Sequence, residues 1–305
     1  MSVFDRFMPA TQEFFSKMRA DGVMRCNVDP TVEVWKMRDN VYSMLAPSPG
    51  MGGDAWMHLI IGPKKAMLID TGFGIGDLKG LVESLTDKPV TLVNSHFHGD
   101  HTFGNYQFDR AYIHTLDAPY LRDQMNPEAR DRMVPKAKPD SFYKDEDLVP
   151  FKEYEICEVE DGYTFDLGDG YEMEVVHMPG HAPGGIGVID KQNRILFSGD
   201  AIVSTPTMIC GAPGIYNSDY MTITAFRDLL EKLVPKMDEF DVLYPGHAVL
   251  EYPKEAVTDM LALCNEIIAD PDCQLLEDDA MHGRFAKLGV HGLASIAYND
   301  ERIPV

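Results

Sequence analysis

His96-Phe97-His98-Gly99-Asp100-His101 puts four metal-capable side chains within six residues, shortly after the apolar run Val90-Thr91-Leu92-Val93. The run reads as a buried strand. The cluster then falls on the loop at the strand's carboxyl end, where open α/β sheets place their ligands. Imidazole and carboxylate donors together suit zinc, iron or manganese. Three neighbouring imidazoles would repel one another as cations, and ligation to a metal holds them neutral. The chain has 10 histidines in 305 residues, so this density is uncommon. The plainer reading is a solvated polar loop.

Upstream, alternation predicts strands over Val32–Met37 and Val41–Leu45. Residues 46–53 are rich in Pro, Gly and Ser and read as a loop. Apolar strands follow at Met57–Ile61 and Ala66–Ile69, the second ending on Asp70-Thr71-Gly72. Gly76–Leu85 reads as a helix, Ala111–Ile113 as a strand and Leu116–Arg122 as a short helix. Residues 125–150 carry four prolines and many charges without strong periodicity, which suggests an excursion: a lid or a homo-oligomer contact. Strands resume at 154–159, 163–165, 171–176, 187–189 and 194–197. A helix over Asp219–Leu233 would be capped by Asn217, Ser218 or Asp219, and strand Asp241–Tyr244 and helix 251–269 follow. Ser295–Tyr298 is a closing strand. Ahead of all this, the first 30 or so residues read as an amphipathic helix and linker, with Phe14, Phe15, Met18 and Met24 expected to dock on the main body.

Three more candidate ligands each follow an apolar strand and sit beside glycine: His181 in Pro179-Gly180-His181, Asp200 in Gly199-Asp200, and His247 in Pro245-Gly246-His247. A glycine before the ligand lets the backbone turn sharply. In this order, His-x-His-x-Asp-His, Pro-Gly-His, Gly-Asp and Pro-Gly-His resemble the metallo-β-lactamase fold superfamily, and Asp70 matches its early Asp motif. The resemblance covers roughly residues 32–250. It implies an α/β (α+β) fold, an αββα sandwich of two mixed sheets flanked by helices. It also implies two divalent metal ions, zinc first, with iron or manganese as alternatives. By the family's pattern His96, His98 and His181 hold one ion, Asp100, His101 and His247 the other, and Asp200 bridges them. The expected organisation is a helical extension over 1–31, the catalytic domain over 32–250 with the 125–150 insertion, and a helix-and-strand extension of that domain over 251–305.

The bridging carboxylate moves the expectation from β-lactam hydrolysis towards the glyoxalase II-like branch. Departures narrow it further. Residues 201–208 lack that enzyme's Gly-Cys-Gly-Arg-like segment, and Val203 stands near where lactonases of the family place a Tyr. His98 and the 58 residues after His247 separate the chain from flavodiiron proteins. The expected reaction is attack of a metal-bridging hydroxide, available near neutral pH, on a small carbonyl substrate: an ester, lactone or thioester. The second ion would take the developing oxyanion. Asp100 is expected to orient the hydroxide. Asp70 is expected to fix a ligand from behind, or simply to cap the Thr71-Gly72 turn. Met51, Trp56 and Tyr216 are candidate substrate contacts, with ordinary packing as their alternative. His58, His114, His177, His282 and His291 are expected to be structural.

Charge and composition exclude other classes. A net charge of −22 repels nucleic acid and anionic membrane surfaces, and no dense basic run offsets it; the lysines at 136 and 138 sit among acids. No apolar stretch is long enough to span a bilayer. The N-terminus lacks a secretory signal's order, and five scattered cysteines argue against a disulfide framework, so a cytoplasmic location is expected. The competing readings are a phosphodiesterase or nuclease of the same fold and a non-catalytic metal-binding module.

Overall fold

The computed structural model describes residues 7–25, 27–50, 53–210, 219–272, 277–278 and 286–303. The chain divides into two compact units, one of residues 18–174 and one of residues 1–17 with 175–305. Helix α1 (Met8–Gly22) spans the first junction.

The first unit carries an eight-stranded sheet in sequence order: β1 (Met24–Arg25), β2 (Glu33–Arg38), β3 (Val41–Ala46), β4 (Ala55–Ile61), β5 (Ala66–Ile69), β6 (Val90–Val93), β7 (Arg110–His114) and β8 (Glu155–Val159). Pairing is antiparallel from β1 to β5 and parallel from β5 to β8. Parallel neighbours need crossovers. Helix α2 (Leu78–Leu85) supplies one, capped by Asp77 accepting the Gly80 N–H, with Leu78, Leu81 and Val82 buried. Helices α3 (Gly99–Thr102), α4 (Ala118–Gln124) and α5 (Pro127–Met133) lie in the later connections. Strands β4 and β5 are buried along nearly their whole length, which explains their near-continuous apolar sequence. The parallel register pairs Ile69 with Val93, so Asp70 and Asn94-Ser95 leave the sheet side by side. Strand β9 (Thr164–Asp166) pairs with the start of β10 (Glu172–His177), inside which the chain passes to the other unit.

The second unit holds β11 (Ile186–Asp190), β12 (Ile195–Gly199), β13 (Thr207–Ile209), α6 (Ile223–Leu233), β14 (Val242–Pro245), β15 (Tyr252–Pro253), α7 (Ala256–Ala269), β16 (Glu277–Asp278), β17 (Ala286–His291) and β18 (Ala294–Tyr298). One sheet runs β15-β14-β12-β11-β10 and another β13-β18-β17-β16. Helix α6 buries Ile223, Phe226, Leu229, Leu230 and Leu233, a 3.6-residue stripe, against Met260, Leu263 and Ile267 of α7. Each such side chain contributes about 1.5–3 kcal/mol on full burial. Strands β12 and β14 are parallel neighbours, and Gly246 N–H donates to Gly199 O at 2.9 Å. Asp200 and His247 therefore emerge together.

Several expectations need correction. Helix α1 buries none of its residues and Met24 is exposed; the tie near its end is polar, the Trp35 indole N–H donating to Met18 O at 3.1 Å. Helix α6 starts later than expected because Thr222 Oγ1 accepts the Ala225 N–H, and Asn217 and Ser218 lie outside the described residues. Within 125–150 a helix does form, started by Asn126 accepting the Glu128 N–H. The helix expected from 251 begins at Ala256, since Tyr252-Pro253 pairs with β14. Strands β13, β16 and β17 carry no pattern strong enough to be expected.

Candidate metal centre

Asp70 organises the donor cluster of the first unit. It is 2% exposed and sits at φ 62°, a left-handed conformation that Asp tolerates better than most residues. Its Oδ1 accepts the Ser95 N–H at 2.7 Å. Its Oδ2 accepts the Ser95 hydroxyl at 2.6 Å and His101 Nδ1–H at 2.9 Å. Because the Ser95 proton is committed to Asp70, Ser95 Oγ must accept from His96 Nδ1, 3.0 Å away. One carboxylate thus fixes the tautomer of two histidines and leaves Nε2 of each as an open donor. The turn capping expected as an alternative is secondary to this network.

Convergence follows from these tautomers. His96 Nε2 and His98 Nδ1 face each other at 3.0 Å, and His101 Nε2 lies 3.7 Å from Asp100 Oδ2. The donor atoms of His96 and His101 lie within 4.8 Å of each other. Two ligands on one tetrahedral zinc at about 2.0–2.1 Å stand about 3.3 Å apart, so these separations suit shared ions. His96 and His101 are 1% and 0% exposed, whereas His98 and Asp100 are half-buried.

Behind α3 lies a buried amide pair that gave no signal in the sequence. Asn105 Nδ2 donates to Asn94 Oδ1 at 2.8 Å, and Asn94 Nδ2 returns to Asn105 Oδ1 at 3.2 Å. Asn94 Nδ2 also donates to His101 O at 3.3 Å, and the Thr71 N–H does so at 2.8 Å. Helix α3 is a single turn whose last carbonyls need outside partners, and these supply one. Asp117, fully buried, accepts the Phe97 N–H at 3.0 Å and so pins the backbone between His96 and His98. Gly99 is needed for packing: a Cβ there would stand 2.2 Å from Phe103 Cε2 and 2.9 Å from Met133 Sδ.

In the second unit, Asp200 Oδ2 lies 3.6 Å from His181 Nε2 and 3.3 Å from His247 Nε2. The carboxylate stands between two imidazoles. His181 Nδ1 donates to Met208 O at 3.1 Å, which leaves its Nε2 as the donor. The three side chains are 13%, 12% and 16% exposed for His181, Asp200 and His247. Gly180 and Gly199 have φ of 131° and 50°, as the turn argument expects; at His247 the left-handed residue is instead Ala248, at 62°. The His/Asp clusters of both units suit a divalent metal by donor chemistry and spacing.

Trp56 proves to be core: it is fully buried and packs edge-on against Trp35, centroids 5.5 Å apart. Met51, Tyr216 and His282 lie outside the described residues. His58 meets Ser43 Oγ at 2.9 Å, His114 accepts the Leu116 N–H, His177 Nε2 donates to Pro183 O at 2.9 Å, and His291 pairs with Glu266 at 2.8 Å.

A sequence-family profile, the metallo-beta-lactamase superfamily, matches residues 50–247, and the chain belongs to that superfamily. It is similar to the acyl-coenzyme A thioesterase MBLAC2 of Homo sapiens, 31% identical over 223 residues, 64% of this chain and 74% of that one. It is also similar to the probable metallo-hydrolase MJ0888 of Methanocaldococcus jannaschii, 26% identical over 209 residues, 67% of this chain and 92% of that one. A solved metallo-beta-lactamase family protein from Thermus thermophilus shares the fold, with a TM-score of 0.55, 18% identity and coverage of 77% of this chain and 82% of that one. The fold is thus the metallo-β-lactamase fold, and the chain is a hydrolase of that superfamily. Among the described residues, no helix is long and apolar enough to cross a membrane.

Proposed function

We propose, from this membership of the metallo-β-lactamase superfamily, that the chain is a dinuclear metal-dependent thioesterase acting on a small acyl thioester. His96, His98 and His181 would hold one ion, Asp100, His101 and His247 the other, with Asp200 shared, and zinc is the first choice of metal. The observation that carries the reading is Asp200, a carboxylate oxygen within 3.6 Å of two open imidazole nitrogens. Such an oxygen suits a bridge, which favours the hydrolase branch over β-lactam cleavage. The likeness to an acyl-coenzyme A thioesterase supports a thioester over the ester and lactone alternatives.

Bound divalent ions would supply water activation near neutral pH and stabilise negative charge on the carbonyl oxygen. The chain's own residues do the rest. Asp100, 17% exposed, would hold the attacking water by a hydrogen bond and accept its proton. Asp70, directly at His101 and through Ser95 at His96, fixes the Nδ1–H tautomer, so that Nε2 of each faces the site. Asn94 and Asn105 hold the His101 carbonyl and with it the angle of α3. A reducing, cytoplasmic setting is favoured by the number and spacing of the five cysteines, which are odd and scattered.

The test is a hydrolysis panel on metal-loaded protein: an acyl thioester, a lactone, an aryl ester and a generic phosphodiester. The thioester should give the highest kcat/KM. A phosphodiester that outruns every carbonyl substrate would replace the reading with the phosphodiesterase alternative.

A further inference from the structure

His181 owes its orientation to a strand outside the ligand motifs. Its Nδ1–H donates to Met208 O at 3.1 Å, which fixes both the tautomer and the rotation of the ring. Met208 is the middle residue of β13, a strand of three residues that gains its place from its neighbours. β13 is the last strand of its sheet, so β18 is its one strand neighbour among the described residues. The two run parallel, with Thr207 opposite Ile296, Met208 opposite Ala297 and Ile209 opposite Tyr298.

Side chains close both ends of this pairing. At its start the buried Thr207 donates its hydroxyl to Ala201 O at 3.1 Å, which ties β13 to the residue after Asp200. At its end Asn299 Nδ2 donates to Cys210 O at 2.9 Å, each residue standing one position beyond its strand. The amide thus adds a rung to the ladder between residues 89 positions apart in the chain. β18 is itself firmly seated. It pairs with β17 from Lys287–Tyr298 to His291–Ala294. Every second side chain, Ala294, Ile296 and Tyr298, joins the core with Leu263 and Ile267 of α7. The Tyr298 hydroxyl donates to Pro271 O at 2.8 Å. All these groups belong to the second unit, and β18 and Asn299 lie after the stretch 50–247 that carries the superfamily match.

We propose that β18 and Asn299 are positioning parts of the metal centre: they hold the Met208 carbonyl where it aims Nε2 of His181 at the ion. This rests on His181 being a ligand, as the dinuclear reading has it. A backbone carbonyl accepts a hydrogen bond and cannot donate one. While β13 stays in register, Nδ1 therefore keeps the proton and Nε2 stays open. Once β13 slips, the ring loses its acceptor, turns freely and carries its proton on either nitrogen. Asp200 and His247 are aligned by β12 and β14 instead. Loosening β13 should then cost affinity for one ion more than for the other.

The experiment compares wild type with Asn299→Ala and Thr207→Val, which free β13 at its two ends. The control is Asp259→Ala, which removes the carboxylate that accepts the Leu293 N–H at 2.8 Å and loosens the β17–β18 turn without touching β13. Zinc affinity is read by competition with a chelator and stability by the denaturant midpoint. The His181 tautomer is read from ring-nitrogen resonances of metal-free protein at about pH 9, assigned by their loss in His181→Ala. Wild type should carry the His181 proton on Nδ1. Both β13 variants should mix the tautomers and weaken one zinc ion about tenfold, the other by about twofold or less. Asp259→Ala should lower the midpoint and keep the wild-type tautomer and zinc affinities. An unchanged tautomer and unchanged zinc affinity in the β13 variants overturn the proposal. So does an equal loss of zinc in Asp259→Ala, which would assign the effect to general stability. If wild type binds no zinc, the dinuclear reading fails; the His181 tautomer in wild type and variants still decides whether β18 and Asn299 position the ring.

Discussion

The two units present their donors by different means. In the first, His96 and His101 are almost fully buried, and side chains from β5, β6 and the turns after α3 grip them: Asp70, Ser95, Asn94 and Asn105. In the second, His181, Asp200 and His247 come from three separate strand ends, stay partly exposed, and are aligned mainly by parallel pairing and backbone bonds. A buried polar network must be satisfied in full or it becomes a liability. The first cluster should therefore be coupled to the stability of its unit, and the second should be separable from it.

The largest expected effect comes from Asp70→Ala. It removes the acceptor that sets two tautomers, so metal affinity measured by competition with a chelator should fall about 100-fold. Asp70→Asn keeps the left-handed conformation and one acceptor and should fall less. Equal losses from the two variants would show that the charge, not the geometry, matters. Next in size, Asn105→Leu strips partners from buried Asn94 and Thr71 and should cost metal-free protein about 1–3 kcal/mol in denaturant unfolding. His247→Ala, made in the second unit, should change metal-free stability by about 0.5 kcal/mol or less while weakening metal binding. If His247→Ala proves as destabilising as Asn105→Leu, the contrast between the units is broken.

The smallest effect concerns Asp29, 1% exposed, whose carboxyl is pushed above the usual range chiefly by burial. A raised folded pKa means the folded state holds its proton more tightly. Stability from this group is then present below the unfolded pKa and lost as pH rises through the folded one. Asp29→Asn should remove that slope, so its melting temperature should gain on wild type from pH 4 towards pH 7. The gain will be confined to the first unit if the units unfold separately.

What could be read beforehand divides along the same line. His96, Asp100, His181, Asp200 and His247 stand in short motifs of glycine, proline and ligand, and local chemistry is enough to mark them. Strands β5, β12 and β14 were legible because burial along nearly their whole length goes with near-continuous apolar sequence. Asn94, Asn105 and Asp117 were not, because a polar residue reads as surface until its partners, brought from elsewhere in the chain, are known. Trp56 was left between two readings for the converse reason: an aromatic in a strand beside a loop suits a pocket and a core equally, and its burial against Trp35 decides for the core.

The central proposal is that the histidine and aspartate donors of this chain hold two divalent ions. Metal content per chain, measured on protein purified with excess zinc and then freed of unbound ions, tests it most directly when wild type is compared with Asp200→Ala. The account predicts close to two ions per wild-type chain and a clear fall in the variant. A wild-type value near zero, or an Asp200→Ala protein that keeps both ions, would contradict it.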